Sequence, residues 1–93
     1  KLPETKLVLC EPFVLEFGFI TPEWVAEMKE RQEVVRGLAA EYGAVFVPLQ
    51  QMLIEAAKKA GAPEKILGDG VHPTLLGHQL IADAWLKAAG NLI

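Results

Sequence analysis

Gly43-Ala44-Val45-Phe46-Val47-Pro48 is the stretch on which the fold turns. Gly43 is the residue type that closes helices in a left-handed conformation. Four apolar residues follow, and Pro48, with no amide hydrogen to give a ladder, stops the run. A short unbroken apolar run between such signals predicts a strand buried on both faces, as in a parallel sheet. Behind it, Thr21-Pro22 starts a helix, with Thr21 as N-cap and Pro22 at the first helical position. Trp24, Met28, Val35, Leu38 and Tyr42 fall on one face of that helix, with Val25 and Ala39 beside them. Glu27, Lys29, Glu30, Arg31, Glu33 and Arg36 cover most of the other side. Further back, Leu7-Val8-Leu9-Cys10 is a second buried-strand pattern, ended by Glu11-Pro12. Strand, long helix and strand make a βαβ unit, a right-handed crossover between parallel strands.

Between the first strand and the helix, Phe13 to Ile20 is apolar and aromatic without clean periodicity, and reads as a loop with hydrophobic contacts. Beyond the second strand, a helix over about Leu49 to Lys59 turns Leu49, Met52, Leu53, Ala56 and Ala60 inward, and Gly61-Ala62-Pro63 breaks it. Residues 64–73 form a loop, and Thr74 caps a last helix to about Ala89 that buries Leu76, Leu80, Ile81, Ala84 and Trp85. The order β-α-β-α-loop-α places the chain in the α/β class. Two parallel strands leave both sheet edges open and make no stable sheet alone. The expectation is therefore that residues 1–93 are the C-terminal part of one doubly wound domain, with another chain or a missing N-terminal half covering the first strand edge.

Composition agrees with a surface that needs covering. Hydrophobic residues make up 52% of the 93 and charged residues 23%, which is apolar for so small a domain. A net charge of −3, with acidic and basic residues mixed along the chain, argues against binding a nucleic-acid backbone. Cys10 is the only cysteine, so there is no internal disulfide and no multi-cysteine zinc site. No apolar run approaches the roughly 20 residues that span a bilayer. No basic-apolar leader opens the chain, but Lys1-Leu2-Pro3-Glu4 does not read as a native beginning, so a leader upstream is compatible with it.

The chemistry concentrates in Gly68-Asp69-Gly70-Val71-His72-Pro73-Thr74-Leu75-Leu76-Gly77-His78. A carboxylate and an imidazole stand three residues apart at a turn entering a helix. Asp69 can accept a hydrogen bond from one imidazole nitrogen, which fixes the tautomer and leaves the other nitrogen as a base. Gly70 permits the tight turn this requires, and Pro73 stiffens its exit. These are two parts of a nucleophilic triad. Asp-Gly is also an ordinary turn dipeptide, and on that reading the pair merely closes a loop of a non-catalytic interaction module.

The string Asp69-Gly70-Val71-His72-Pro73-Thr74, then Gly77-His78 and the helix ending in Trp85-Leu86, resembles the C-terminal motif of the SGNH (GDSL-type) esterases and lipases. The strand ending in Glu11-Pro12-Phe13, the long helix, and Val45-Phe46-Val47-Pro48-Leu49 are similar to that family's last two strands. The resemblance implies a flavodoxin-like three-layer α/β/α domain, a Ser-His-Asp triad, no cofactor or metal, and small-molecule ester substrates, often acetylated carbohydrates. It makes Asp69 the orienting carboxylate and His72 the general base. The family's Gly-Asp-Ser motif and its oxyanion glycine and asparagine motifs do not occur in this sequence, which has no serine at all. Thr5, Thr21 and Thr74 are its only aliphatic hydroxyls, and none has a nucleophile-like context. This chain alone is expected to lack ester hydrolysis.

The remaining candidates have plainer readings. His78, near the start of the last helix, is expected to be hydrogen-bonded and structural, and Asp69, His72 and His78 lack a further metal ligand at convincing spacing. Cys10, at the C-terminal end of a strand, could complete a cysteine triad with His72 and Asp69, but a lone cysteine in an apolar run reads first as a core residue. Phe13, Phe17 and Phe19 either border an acyl pocket or cover the core. Trp24 and Trp85 lie at core spacing.

Overall fold

The computed structural model describes residues 6–90, so Thr5 and Lys1-Leu2-Pro3-Glu4 lie outside the described residues. In chain order the elements are β1 (Val8–Cys10), α1 (Pro22–Tyr42), β2 (Val45–Val47), α2 (Gln50–Ala60), a 3-10 turn (Pro63–Lys65) and α3 (Leu75–Ala89). The strands pair in parallel, with Val8 opposite Val45, Leu9 opposite Phe46 and Cys10 opposite Val47. Backbone bonds from Val45 to the Leu7 carbonyl and from Glu11 to the Val47 carbonyl, both 2.9 Å, extend the ladder at its two ends. The fold is α/β with parallel strands and packed helices, as the sequence predicts.

Local chemistry accounts for the boundaries. Thr21 Oγ1 accepts the Trp24 N–H at 3.2 Å, and Gly43 closes α1 with φ +65°. The start of α2 is different, because Leu49 occupies the N-cap and has no capping side chain. The cap comes from β1 instead. Glu11, buried at the strand's end, accepts the N–H groups of both Leu49 and Gln50 through Oε1, each at 2.9 Å. Its Oε2 meets Arg36 at 3.2 Å, and the Arg36 guanidinium lies 4.8 Å above the Phe46 ring. A buried carboxylate thus satisfies two otherwise orphaned helix donors.

The core joins Val47, Leu49, Leu53 and Ala57 to Leu15, Ile66 and Leu67, with Leu80, Ile81, Ala84 and Trp85 of α3 packed against it. Three expectations are corrected. Val8, Leu9, Val45 and Phe46 are only half-buried and Cys10 is exposed, because the side chains of a two-stranded sheet have few neighbours on either face. The buried stripe of α1 runs through Val25, Met28, Gln32, Val35 and Ala39, leaving Trp24, Leu38 and Tyr42 outside it. Gln32 takes the helix's inner face because it donates to the Pro12 carbonyl and to Gln50 Oε1, both at 2.8 Å, which rotates the larger apolar residues outward. In α3, Leu76 is exposed, and Gly77 and Ala89 are the fully buried positions.

Candidate catalytic site

Residues 67–73 form a closed loop between the core and α3. Leu67 and Pro73 make an antiparallel bridge, the Gly68 N–H donates to the His72 carbonyl at 2.9 Å, and the Gly70 N–H donates to the Leu67 carbonyl at 3.1 Å. Inside this loop Asp69 uses both carboxylate oxygens. Oδ1 accepts the backbone N–H groups of His72 at 2.7 Å and Val71 at 3.0 Å, and Oδ2 lies 2.7 Å from His72 Nδ1. These donors hold the Asp69 carboxyl well below the usual carboxylate range. The His72 amide contributes most, then the imidazole and the Val71 amide, against a smaller opposing effect of desolvation. An ionised carboxylate only accepts, so the proton in the 2.7 Å contact resides on Nδ1. Nε2 of the neutral ring then carries the lone pair, on a side chain 82% exposed. The arrangement fixes the ring tautomer and leaves Nε2 able to accept a proton.

Two glycines set the loop in place. Gly70 has φ +92°, and a Cβ there would lie 2.7 Å from Ile20 Cγ1 and 2.8 Å from the Leu15 carbonyl oxygen. The Leu15 N–H donates to the Gly70 carbonyl at 2.9 Å, so the aromatic loop is the seat on which the Asp69–His72 turn rests. A Cβ on Gly77 would run into the carbonyl oxygen of Ile66, so only glycine lets the first turn of α3 pack on that backbone. Thr74 completes the junction. Its Oγ1 accepts the Gly77 N–H at 3.1 Å, and its hydroxyl faces the Lys65 and Ile66 carbonyls at 2.7 and 3.0 Å. The spacing from His72 to Gly77 is thus a helix cap and a close-packed helix start.

The other candidates are placed elsewhere. Cys10 is exposed rather than in the core, no hydrogen bond joins it to His72, and partial burial pushes its thiol pKa up, away from an activated thiolate. His78 is exposed. Its backbone N–H donates to the Thr74 carbonyl at 2.8 Å, but its ring makes no hydrogen bond among the described residues, contrary to expectation. No group of three or more metal-ligating side chains occurs among the described residues. The hydroxyls of Thr21 and Thr74 are both engaged as helix caps. Phe13 and Phe17 pack against the core, and Phe19 is exposed beside Trp24, with ring centroids 6.0 Å apart. An apolar cleft of about 520 Å³ opens beside the seat between Leu15, Val25, Ile54 and Pro63, and none of these phenylalanines lines it.

Gln32 and Gln50, which the sequence reading passed over, join the candidate site through its seat. Gln50 Oε1 accepts the Val14 N–H at 2.9 Å and its Nε2 donates to the Val14 carbonyl at 2.7 Å. Glutamines on two different helices carry no local signal for such a contact, because the partners stand 18 and 36 residues apart.

No protein-family model matches the chain. An acetylxylan esterase of Geobacillus stearothermophilus is 31% identical over 84 residues, covering 90% of this chain and 37% of that protein. A crystal structure of a protein described as a GDSL-like lipase from Parabacteroides merdae superposes with a TM-score of 0.83 at 39% identity, over 98% of this chain and 42% of that one. An α/β hydrolase from the metagenome of Lake Arreo gives 0.75 at 28% identity, over 95% and 39%. The chain spans about two-fifths of the length of these relatives. No helix among the described residues is long and apolar enough to cross a membrane.

Proposed function

From the likeness of this chain to the SGNH (GDSL-type) esterases and lipases, we propose that Asp69 and His72 are the orienting carboxylate and general base of a serine ester hydrolase. The nucleophilic serine and the oxyanion donors come from outside these 93 residues, which contain no serine. The observation that carries the proposal is the 2.7 Å contact of Asp69 Oδ2 with His72 Nδ1, which leaves Nε2 open to solvent. In the complete domain, Nε2 takes the serine Oγ proton as Oγ attacks the ester carbonyl. It returns that proton to the alkoxide oxygen as the C–O bond breaks. Water then attacks the acyl-enzyme, Nε2 accepts its proton, and Oγ recovers a proton as the acid leaves. Asp69 stays ionised and accepts the Nδ1–H hydrogen bond throughout.

The substrate is a small ester of the acetylated-sugar class, in keeping with the likeness to an acetylxylan esterase. The partner implied is the remainder of the domain, which covers the open edge of β1 and supplies the nucleophile. Hydrolysis of nitrophenyl acetate tests this. The 93-residue chain alone gives no turnover above buffer, and the full-length protein turns the ester over. Turnover by the isolated chain that vanishes on Cys10→Ala would replace the proposal with a thiol mechanism.

A further inference from the structure

We propose that Gln50 is a positioning residue for the Asp69–His72 pair, acting through the backbone of residues 14, 15 and 70. The proposal rests on the catalytic role given to that pair above, and adds a residue that touches neither of its members. Gln50 sits at the first turn of α2, where its own N–H is held by the buried Glu11 carboxylate. Its amide side chain grips both backbone groups of Val14, which is buried, and Gln32 fixes the amide's orientation by donating to Oε1. The next residue, Leu15, donates to the Gly70 carbonyl, and its own carbonyl oxygen would lie 2.8 Å from a Cβ on Gly70, so the two backbones are closely apposed. Gly70 lies between Asp69 and His72. A shift of residues 14–15 therefore moves the turn directly, since the buried Gly70 leaves no slack between the two strands of chain.

Geometry of this kind matters because misplacing a base by about 1 Å costs on the order of 100-fold in rate. Loss of the clamp is expected to relax the seat by less than that.

The test is carried out on the full-length protein with Gln50→Met, which keeps the length and removes all three side-chain hydrogen bonds. Gln50→Glu, which keeps the acceptor for the Val14 N–H, is measured beside it. Leu53→Ala, a cavity in the core cluster that also holds Leu15 and Leu67, removes no hydrogen bond of the clamp and serves as the control for general loosening. Two quantities are read: the kcat and KM for nitrophenyl acetate, and the carboxyl ¹³C titration of Asp69, which reports the turn's hydrogen bonds without reference to activity. Gln50→Met is expected to lower kcat about 10-fold with KM little changed, and to move the Asp69 titration up toward the ordinary carboxylate range. Gln50→Glu is expected to fall between it and the parent, and Leu53→Ala to leave the titration in place. An unmoved Asp69 titration in both Gln50 variants overturns the proposal, and so does an equal shift in Leu53→Ala. If the catalytic role of His72 is wrong, kcat stays flat in every variant while the Asp69 titration still responds to Gln50.

Discussion

The Glu11 carboxylate accepts the Leu49 backbone N–H at 2.9 Å from 38 residues away, so β1 supplies the cap that α2 lacks in its own sequence. The same carboxylate meets Arg36, whose side chain is largely exposed. An exposed guanidinium contributes up to about 1 kcal/mol through such a pair. A buried acceptor serving two amides is worth more. Glu11→Ala is expected to destabilise the fold by about 3 kcal/mol, and Arg36→Ala by about 1 kcal/mol or less. Urea denaturation at constant m-value compares the two. Equal losses would show that the ion pair, and not the cap, is what Glu11 provides.

Gly70 and Gly43 both have positive φ but stand in different surroundings. A Cβ on Gly43 meets open space, whereas one on Gly70 meets Ile20 and the Leu15 carbonyl. Gly43→Ala is expected to cost about 1–2 kcal/mol from backbone strain alone. Gly70→Ala adds steric overlap and is expected to cost about 2–4 kcal/mol. Thermal unfolding of the two variants gives the ordering, and a Gly70 variant no worse than the Gly43 variant would mean that the seat yields freely.

Thr74 is expected to behave as a cap with a second anchor. Thr74→Ala removes the acceptor for the Gly77 N–H and the donor to the Lys65 and Ile66 carbonyls, at a cost of about 1–2 kcal/mol. Thr74→Ser keeps every polar contact and is expected to lie within about 0.5 kcal/mol of the parent. A serine variant as weak as the alanine variant would place the contribution in the γ-methyl group.

These contrasts mark how far the sequence is legible. The Thr21-Pro22 start, the Gly43 stop and the apolar run Val45 to Val47 are local signals, and the structure follows them to within a residue. Asp69 and His72 are also local, three residues apart across one turn, so their contact follows from the motif. What escapes is non-local. Glu11 reads as a strand end because its partners, Leu49 and Gln50, lie across the sheet. Gln32 carries no local signal because its partners, Pro12 and Gln50, come from other segments, and its place on the inner face of α1 leaves Trp24, Leu38 and Tyr42 outside the buried stripe. Gly77 carries a motif match but no reason for it until Ile66 stands against it.

Asp69 makes a pH prediction with a definite sign. Its folded carboxyl is held below the ordinary value of about 3.9, so its stabilising hydrogen bonds are fully present above that value and fade as pH falls through the folded one. The stability difference between the parent and Asp69→Asn is expected to stay level from pH 7 to about 4 and to shrink only in more acidic solution. Paired denaturation curves across that range measure it. A difference that already declines between pH 6 and 5 would show that the turn does not hold the carboxylate as described.

The most direct test of His72 as the general base is the steady-state hydrolysis of nitrophenyl acetate by the full-length protein with His72→Ala. Removal of the base is predicted to lower kcat by on the order of 10⁴-fold, with the fold retained because the His72 side chain is exposed. A His72→Ala protein that hydrolyses the ester within a few-fold of the parent would mean that His72 is not the base of the reaction.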